Sequence, residues 1–268
     1  MTSSSTSNTK GSTKVSNPNS SGGKGFLWAI LALVLVGALV IGLIVYNGRG
    51  AQADRIAENV EPVDGVTMEL TDNTITLSGE NSDGAKEASL YEDLACSYCA
   101  DLAKKTDAEM LEKIKAGEVT VHIRPMVFLD GTGEQHTVGH STNTLAAVLA
   151  LADKGETEAY WNLRKALLEE QESLYGSADP EKLADLAKGV GASGDAVDAI
   201  RNGDYVDQAK ELGEANQKDL VDKTGELSSP RVLVDGKDVD SNPLENWIDD
   251  LLALSLIHIS EPTRPRLI

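Results

Sequence analysis

The chain contains an uncharged run of 21 residues, Phe26 to Tyr46. At about 1.5 Å per residue, a helix of that length crosses a hydrocarbon core of ~30 Å, so we predict a transmembrane helix over residues 26–46. Lysines are the only charged side chains before the run, and the acidic bulk of the chain follows it. The positive-inside rule therefore predicts a single-pass membrane protein with a cytoplasmic N-terminus and an extracytoplasmic domain.

The segments that flank this run have their own signatures. Residues 1–25 are rich in Ser, Thr, Asn and Gly, which predicts a disordered cytoplasmic tail. Residues 47–64 are interpreted as a linker. Ala51-Gln52-Ala53 has the form of a signal-peptidase site, but the run exceeds the roughly 7–15 apolar residues of a cleaved signal, so we expect an uncleaved anchor.

The last residues of the chain, 254–268, do not continue the pattern that precedes them. Leu254 to Arg264 reads LSLIHISEPTR, which resembles an in-frame translation of an adapter used to prepare sequencing libraries. We therefore expect this tail not to be native and the native sequence after Ala253 to be missing. His258 is given no functional weight.

Charge and cysteine content exclude two classes of protein. The chain has 43 Asp plus Glu against 24 Lys plus Arg, a net charge of −19, which repels phosphate backbones and disfavours nucleic-acid binding. Its two cysteines lie within four residues of each other, so they cannot staple distant segments together as a disulfide scaffold does. Any cysteine chemistry is local.

Hydrophobic patterning predicts one α/β domain over residues 65–253. Alternation predicts a β-hairpin from Val66 to Leu77 and strands at 87–92 and 119–123, with a helix at 101–116 between the two strands. Residues 143–227 show helical spacing, and Asp179-Pro180 is a helix start. A second hairpin at 232–239 and a helix at 244–253 close the domain.

Cys96-Ser97-Tyr98-Cys99 lies where the predicted strand meets the predicted helix. At a helix N-terminus the unpaired N–H groups and the dipole stabilise a thiolate, which lowers the thiol pKa from ~8.5 to roughly 3.5–7.5. Cys99, one turn further on, would attack a mixed disulfide formed at Cys96 and release the other protein.

The segments ASLYEDLACSYCADL, VHIRPMVFLDG and GELSSPRVLVDG resemble the DsbA-like branch of the thioredoxin superfamily over roughly Thr67 to Ala253. The resemblance implies a thioredoxin fold with an inserted helical subdomain, at about 143–227, and a cis-proline at Pro230 facing the CxxC. It implies Cys96 as the nucleophile and Cys99 as the resolving thiol. Ser229 and Pro230, with Ser97 and Tyr98 between the cysteines, would bind an extended substrate peptide.

The implied activity is thiol–disulfide exchange with cysteine-containing exported proteins, with disulfide formation as the favoured direction. No metal or organic cofactor is implied. A membrane redox partner would be required, either a quinone-linked protein that re-oxidises the enzyme or a reductant. Ser97-Tyr98 replaces the Pro-His of many strongly oxidising members, and Glu92 and Asp93 would oppose thiolate formation if they pointed at Cys96, so the direction of electron flow stays open.

Three alternatives remain. The protein could be a reductase or isomerase of exported disulfides, or a non-catalytic module that binds peptides beside Pro230. Cys96, Cys99, His136 and His140 formally match a zinc-ligand pattern, but 36 residues separate Cys99 from His136 where a zinc finger has roughly 12–15. His136 and His140 are instead assigned to a polar surface loop, His122 to the polar side of a strand, and Tyr160, Trp161 and Tyr175 to the core or cover of the helical layer.

Overall fold

A computed structural model describes the backbone of residues 23–257 and the side chains of residues 27–43 and 51–253. The predicted tail over residues 1–22 and the final residues 258–268 lie outside the described residues. The chain divides into two compact units, residues 1–48 and 49–268. Each unit is described separately.

The first unit contains most of helix α1, Gly23–Ala57. The predicted span 26–46 is helical throughout, and its described side chains, 27–43, are almost all exposed. Among the residues whose placement is described, no helix meets the length and hydropathy that a membrane crossing requires. The membrane span therefore stays a prediction.

The second unit is built on one sheet. Its strands in the described residues are β1 (Val66–Thr71), β2 (Thr74–Gly79), β3 (Lys86–Asp93), β4 (Val119–Met126), β5 (Arg231–Val234) and β6 (Lys237–Asp238). They lie in the order β1-β2-β4-β3-β5-β6. Only β3 and β4 run parallel, and the other neighbours are antiparallel.

The helices follow the predicted pattern. They are α2 (Ser97–Lys115), α3 (His140–Asp153), α4 (Thr157–Glu169), α5 (Gln171–Leu174), α6 (Pro180–Gly189), α7 (Gly194–Asn202), α8 (Val206–Thr224) and α9 (Trp247–Ile257). Short 3-10 helices occupy Phe128–Asp130, Gly133–Gln135 and Leu244–Asn246. Helix α6 begins as predicted, since the Asp179 side chain accepts a hydrogen bond from the Lys182 N–H at 2.8 Å.

The central strand β3 is buried on both faces because successive side chains alternate between two helical layers. Leu90 belongs to the main core, which includes Ile114 of α2 and Trp247 of α9. Tyr91 belongs to a smaller cluster that includes Leu220 of α8. The sheet is therefore covered by helices on both sides, and the β3–α2–β4 unit carries the CxxC at the end of its first strand.

Helix α1 extends beyond two of the predicted boundaries. The segment 47–64 is not wholly a linker, because α1 continues to Ala57. Gln52 and Ile56 are buried, and the Gln52 amide donates to the Glu170 carboxylate at 2.8 Å. The predicted tail also ends earlier than residue 25, since α1 begins at Gly23. The helical insertion, predicted at about 143–227, comprises α3 to α8 over residues 140–224.

Candidate active site

Cys96 caps the N-terminus of α2. Its N–H donates to the Asp93 carbonyl at 2.9 Å, and its carbonyl accepts from the Ala100 N–H at 3.1 Å, the first bond of the helix. The loop between β3 and α2 is thus short and fixed at both ends. It places the Cys96 sulfur beside the free N–H groups of the first helical turn, where an anion is stabilised.

The two thiols have opposite electrostatic environments. The hydrogen bond from the Cys99 thiol, helped by Ser229 and by the backbone N–H groups of Cys99 and Tyr98, lowers the pKa of Cys96 to about 5 against the opposing effect of burial. Burial, together with the charge and hydrogen bond of Cys96, raises the pKa of Cys99 well above 9.0. Both cysteines are free thiols in the structure. Cys96 is therefore a thiolate at neutral pH, and the buried Cys99 thiol donates a hydrogen bond to it.

Strand pairing brings the predicted proline loop to the same place. Tyr91 of β3 faces Arg231 of β5 in an antiparallel register, so the residues before Arg231 lie beside the residues that follow Tyr91. The Ser229–Pro230 peptide bond is cis, as the family resemblance implied. The Cys96 sulfur lies 3.6 Å from the Ser229 carbonyl oxygen.

The residues between the cysteines are open to solvent. Ser97 is exposed, and the Tyr98 side chain is 72% exposed although it is a large aromatic ring. Cys96, Cys99, Ser229 and Pro230 are thus brought together, with Ser97 and Tyr98 on the outer rim. Every predicted site residue lies at this end of the sheet.

Neither of the two acidic residues before the CxxC is left as an unpaired charge facing Cys96. The Glu92 carboxylate accepts two hydrogen bonds from the Arg164 guanidinium, each at 2.7 Å. Asp93 accepts from the Ala95 N–H at 2.9 Å and from the Leu129 N–H at 3.2 Å. Burial, opposed by these hydrogen bonds, raises the pKa of Asp93 to about 7.

Sequence reasoning missed the buried Arg164 cluster. Arg164 is 1% exposed, and its third nitrogen donates to the Asp107 carboxylate at 2.7 Å. Two carboxylates from β3 and α2 thus share one guanidinium from α4. The available signal was the position of Arg164 among apolar residues of a predicted helix (Tyr160, Trp161, Leu163, Leu167, Leu168).

The histidines of the zinc alternative have other surroundings. His136 lies 3.2 Å from the Thr142 hydroxyl, and His140 packs on Tyr175 with ring centroids 5.2 Å apart. His122 lies on β4, with Thr76 and Glu87 as its polar neighbours at 3.0 and 3.3 Å. Within the described part of the chain, no group of three or more His, Cys, Asp or Glu side chains is arranged to hold a metal ion.

An activated cysteine at a helix start, a buried second thiol one turn further on and a cis-proline beside them define a thiol–disulfide exchange centre on a thioredoxin fold. Comparisons with known proteins agree with this class. Residues 77–251 match the family model described as Thioredoxin. A search of curated protein sequences finds no match.

Comparison with solved structures identifies more specific relatives. The chain is 37% identical to MdbA, a thiol-disulfide oxidoreductase from Corynebacterium diphtheriae, with a TM-score of 0.69 over 73% of this chain and 98% of that one. It is 36% identical to MdbA from Corynebacterium matruchotii, with a TM-score of 0.68 over 72% and 95%. BdbD from Bacillus subtilis, at 18% identity and a TM-score of 0.53 over 72% and 99%, shares the fold. The chain therefore belongs to the thioredoxin family, among the DsbA-like thiol–disulfide oxidoreductases.

Proposed function

We propose that this protein forms disulfides in exported cysteine-containing proteins through Cys96. The observation that carries the proposal is the contrast between the two thiols: a pKa of about 5 at Cys96 and a raised pKa at Cys99. A stabilised thiolate favours the reduced enzyme, and an enzyme whose reduced form is stable passes its disulfide to others. This supports the oxidising direction even though Ser97-Tyr98 lacks the histidine of many strong oxidants.

The reaction begins with the oxidised enzyme, in which Cys96 and Cys99 are joined. A substrate thiolate attacks the Cys96 sulfur, the substrate–Cys96 bond forms, and Cys99 leaves as a thiolate that takes up a proton. A second substrate thiolate then attacks the substrate sulfur of this mixed disulfide and releases Cys96 as a thiolate. The substrate loses two electrons and two protons, and the enzyme gains the two electrons.

Ser229, Pro230, Ser97 and Tyr98 are the proposed peptide-binding surface. The exposed Ser97 and Tyr98 directly follow the nucleophile, and the Ser229 carbonyl lies close enough to Cys96 for an extended peptide to reach both. An extended segment pairs its backbone with such a loop and needs no deep pocket. The proposed substrates are therefore unfolded or loosely folded chains.

The test is the equilibrium reduction potential of the purified full-length chain against glutathione, measured by thiol alkylation. A disulfide donor should lie nearer to ~−120 mV than to the ~−270 mV of thioredoxin. Cys96→Ser should abolish oxidation of a reduced, unfolded protein. Cys99→Ser, incubated with disulfide-bonded protein, should accumulate mixed disulfides. A potential near ~−270 mV would favour the reductase or isomerase, and a pair that never exchanges would favour the non-catalytic module.

We further propose that residues 26–46 anchor the enzyme in the cell membrane, with the N-terminus cytoplasmic and the catalytic domain extracytoplasmic. The length of the uncharged run and the charge difference across it support this topology. A quinone-linked membrane protein is the proposed re-oxidant. Extraction of membranes at alkaline pH should leave the full chain in the pellet and release a variant lacking residues 26–46, whereas release of both would contradict the anchor.

A further inference from the structure

A groove of about 600 Å³ lies next to the CxxC, on the side formed by the helical insertion. Its lining includes Ala95 and Ser97, Asp101 and Lys104 of α2, and Glu172 and Tyr175 of the segment around α5. Ala95 and Ser97 are the two chain neighbours of Cys96. None of the lining residues belongs to the Ser229–Pro230 loop, and the groove shares only Ser97 with the proposed peptide-binding surface.

The walls of the groove are held together by specific contacts. The buried Gln171 side chain donates from its amide to the Leu94 carbonyl at 2.8 Å, which ties α5 to the loop before Cys96. Tyr175, at the end of α5, rests on the His140 ring at a centroid distance of 5.2 Å and an angle of 35°. These contacts hold the walls of the groove in place without a bound partner.

The lining combines an exposed aromatic ring with an excess of negative charge. Tyr175 is 65% exposed, whereas Tyr160 and Trp161 of the same insertion are buried. Asp101 and Glu172 contribute two carboxylates against the one ammonium of Lys104. No salt bridge among the described residues uses either carboxylate. The whole chain carries a net charge of −19, so its field adds to this local excess.

We propose that this groove binds an arginine or lysine side chain of the polypeptide whose cysteine reacts at Cys96. The inference rests on the proposed function and names the substrates that this enzyme prefers. An aromatic face attracts a cation, and the exposed carboxylates of Asp101 and Glu172 can pair with it. Arginine fits best, because its planar guanidinium stacks on a ring while its N–H groups reach an acid. The groove begins at Ala95 and Ser97, the chain neighbours of Cys96, so the cation is proposed to lie a few residues from the reacting cysteine; three residues of extended chain span roughly 10 Å.

The experiment uses single-cysteine peptides whose sulfur is joined to thionitrobenzoate. The thiolate of the reduced protein attacks the peptide sulfur, which joins the peptide to Cys96 and releases coloured thionitrobenzoate. Cys99 then attacks Cys96, and the peptide leaves as a thiol while the enzyme becomes oxidised. Peptides carry Arg, Glu, Leu or Ala at each of three positions on either side of the cysteine. The second-order rate constant of release is measured.

An arginine peptide should react about three- to tenfold faster than its alanine counterpart, and a glutamate peptide more slowly, because exposed cation–π contacts and ion pairs are modest. The preference should shrink at high salt. Glu172→Gln and Tyr175→Ala should each reduce the arginine-to-alanine ratio toward one. Glu112→Gln, which removes an exposed acid near the far end of α2, should keep it.

The possible failures are distinct. If every peptide reacts no faster with the parent protein than with Cys96→Ser, the proposed function is wrong. If the peptides react rapidly through Cys96 but arginine gives no advantage, or Glu172→Gln and Tyr175→Ala leave the advantage unchanged, the cation subsite is overturned and the function stands. If leucine peptides have larger rate constants than arginine peptides at every position, the groove selects apolar side chains and the proposal is likewise overturned.

Discussion

Glu92 and Arg164 form a fully buried, two-point ion pair that joins the central strand to the helical insertion. Both hydrogen bonds are 2.7 Å long, and the two side chains are 3% and 1% exposed. Without Arg164, an uncompensated carboxylate would lie four residues before Cys96 in the core. The pair therefore allows an acidic residue to lie close to the CxxC, where it otherwise would oppose the charge of a thiolate.

Replacing Arg164 with methionine should lower the free energy of unfolding by about 3–5 kcal/mol, because Glu92 and Asp107 would lose their shared cation inside the protein. Burial raises the pKa of Asp107 to about 6 even with Arg164 present, and its second oxygen has no partner within the described residues. Urea unfolding of the purified protein measures the loss.

Arg201→Met is the matched control. Arg201 also forms salt bridges with several acidic side chains, including Glu181 and Asp198, but its own side chain is 34% exposed. Its loss should cost no more than about 1 kcal/mol. Equal destabilisation by the two substitutions would show that burial of Arg164 has no special energetic role.

The low pKa of Cys96 should depend on the hydrogen bond from Cys99. That bond is the largest of the effects that bring the Cys96 pKa to about 5. A hydrogen bond to a charged group contributes about 1.5–3 kcal/mol, and one pKa unit corresponds to about 1.4 kcal/mol. Cys99→Ala should therefore raise the Cys96 pKa by about one to two units, whereas Cys99→Ser retains a donor and should raise it less.

The measurement is the pH dependence of iodoacetamide alkylation in the reduced protein, read by mass spectrometry. The rate at Cys96 should rise through pH 5 and then level off, while Cys99 of the parent protein should stay unmodified at pH 7. If Cys99→Ala leaves the Cys96 pKa at the value of the parent protein, the prediction is wrong and the helix N-terminus is the main source of the stabilisation.

The sequence was most informative where structure is local. The β3–α2–β4 unit was predicted because alternating and helical periodicities each need only a few neighbouring residues. The placement of Cys96 at a helix start follows from the same pattern. The position of Pro230 came from family resemblance, since no local pattern pairs it with a residue 134 positions earlier; the β3–β5 register supplies that contact.

Local sequence patterns could not predict the contacts that residues of the helical insertion make. Glu92 and Arg164 are 72 residues apart, and nothing in either neighbourhood identifies the other. Tyr175 was predicted as core or cover together with Tyr160 and Trp161, but it is 65% exposed. Because α5 has only four residues, its sequence has no periodicity that could indicate which side faces solvent.

Asp93 should make stability depend on pH. Burial raises its folded pKa to about 7 from an ordinary value of 3.8, so the folded protein binds this proton more tightly than the unfolded chain does. The contribution of Asp93 to the free energy of unfolding is therefore largest below about pH 4 and falls as pH rises to about 7. Asp93→Asn should make the fall in stability between pH 5 and pH 8 smaller, which unfolding curves at these two pH values would reveal; the raised pKa of Asp107 leaves a residual fall.

Asp83→Asn serves as its control, since Asp83 is an exposed acid in a loop of the same domain. It removes one charge without removing a buried carboxyl and should leave the slope close to that of the parent. A parent protein whose stability changes between these pH values by the same amount as Asp93→Asn would contradict the assignment.

Replacing Gly213 of α8 with alanine tests whether core packing or helix propensity has the larger effect on stability. An alanine in a helix interior is favoured over glycine by about 1 kcal/mol, which alone predicts a more stable protein. A β-carbon at Gly213, however, would lie 2.7 and 2.9 Å from the two methyl carbons of Val127, a side chain with no exposed surface. Overpacking of a tight core costs about 1–3 kcal/mol, so Gly213→Ala should be destabilising on balance.

Two further variants test that balance by thermal or urea unfolding. Gly194→Ala, at the start of α7, has open space around the new methyl group and should be neutral or stabilising. In a Val127→Ala background the two methyl carbons are absent and the nearest remaining atom given for residue 127 is its β-carbon at 3.2 Å, so Gly213→Ala should become neutral or stabilising as well. If Gly213→Ala instead stabilises the parent protein by about 1 kcal/mol, Val127 moves aside without cost, and helix propensity outweighs packing at this contact.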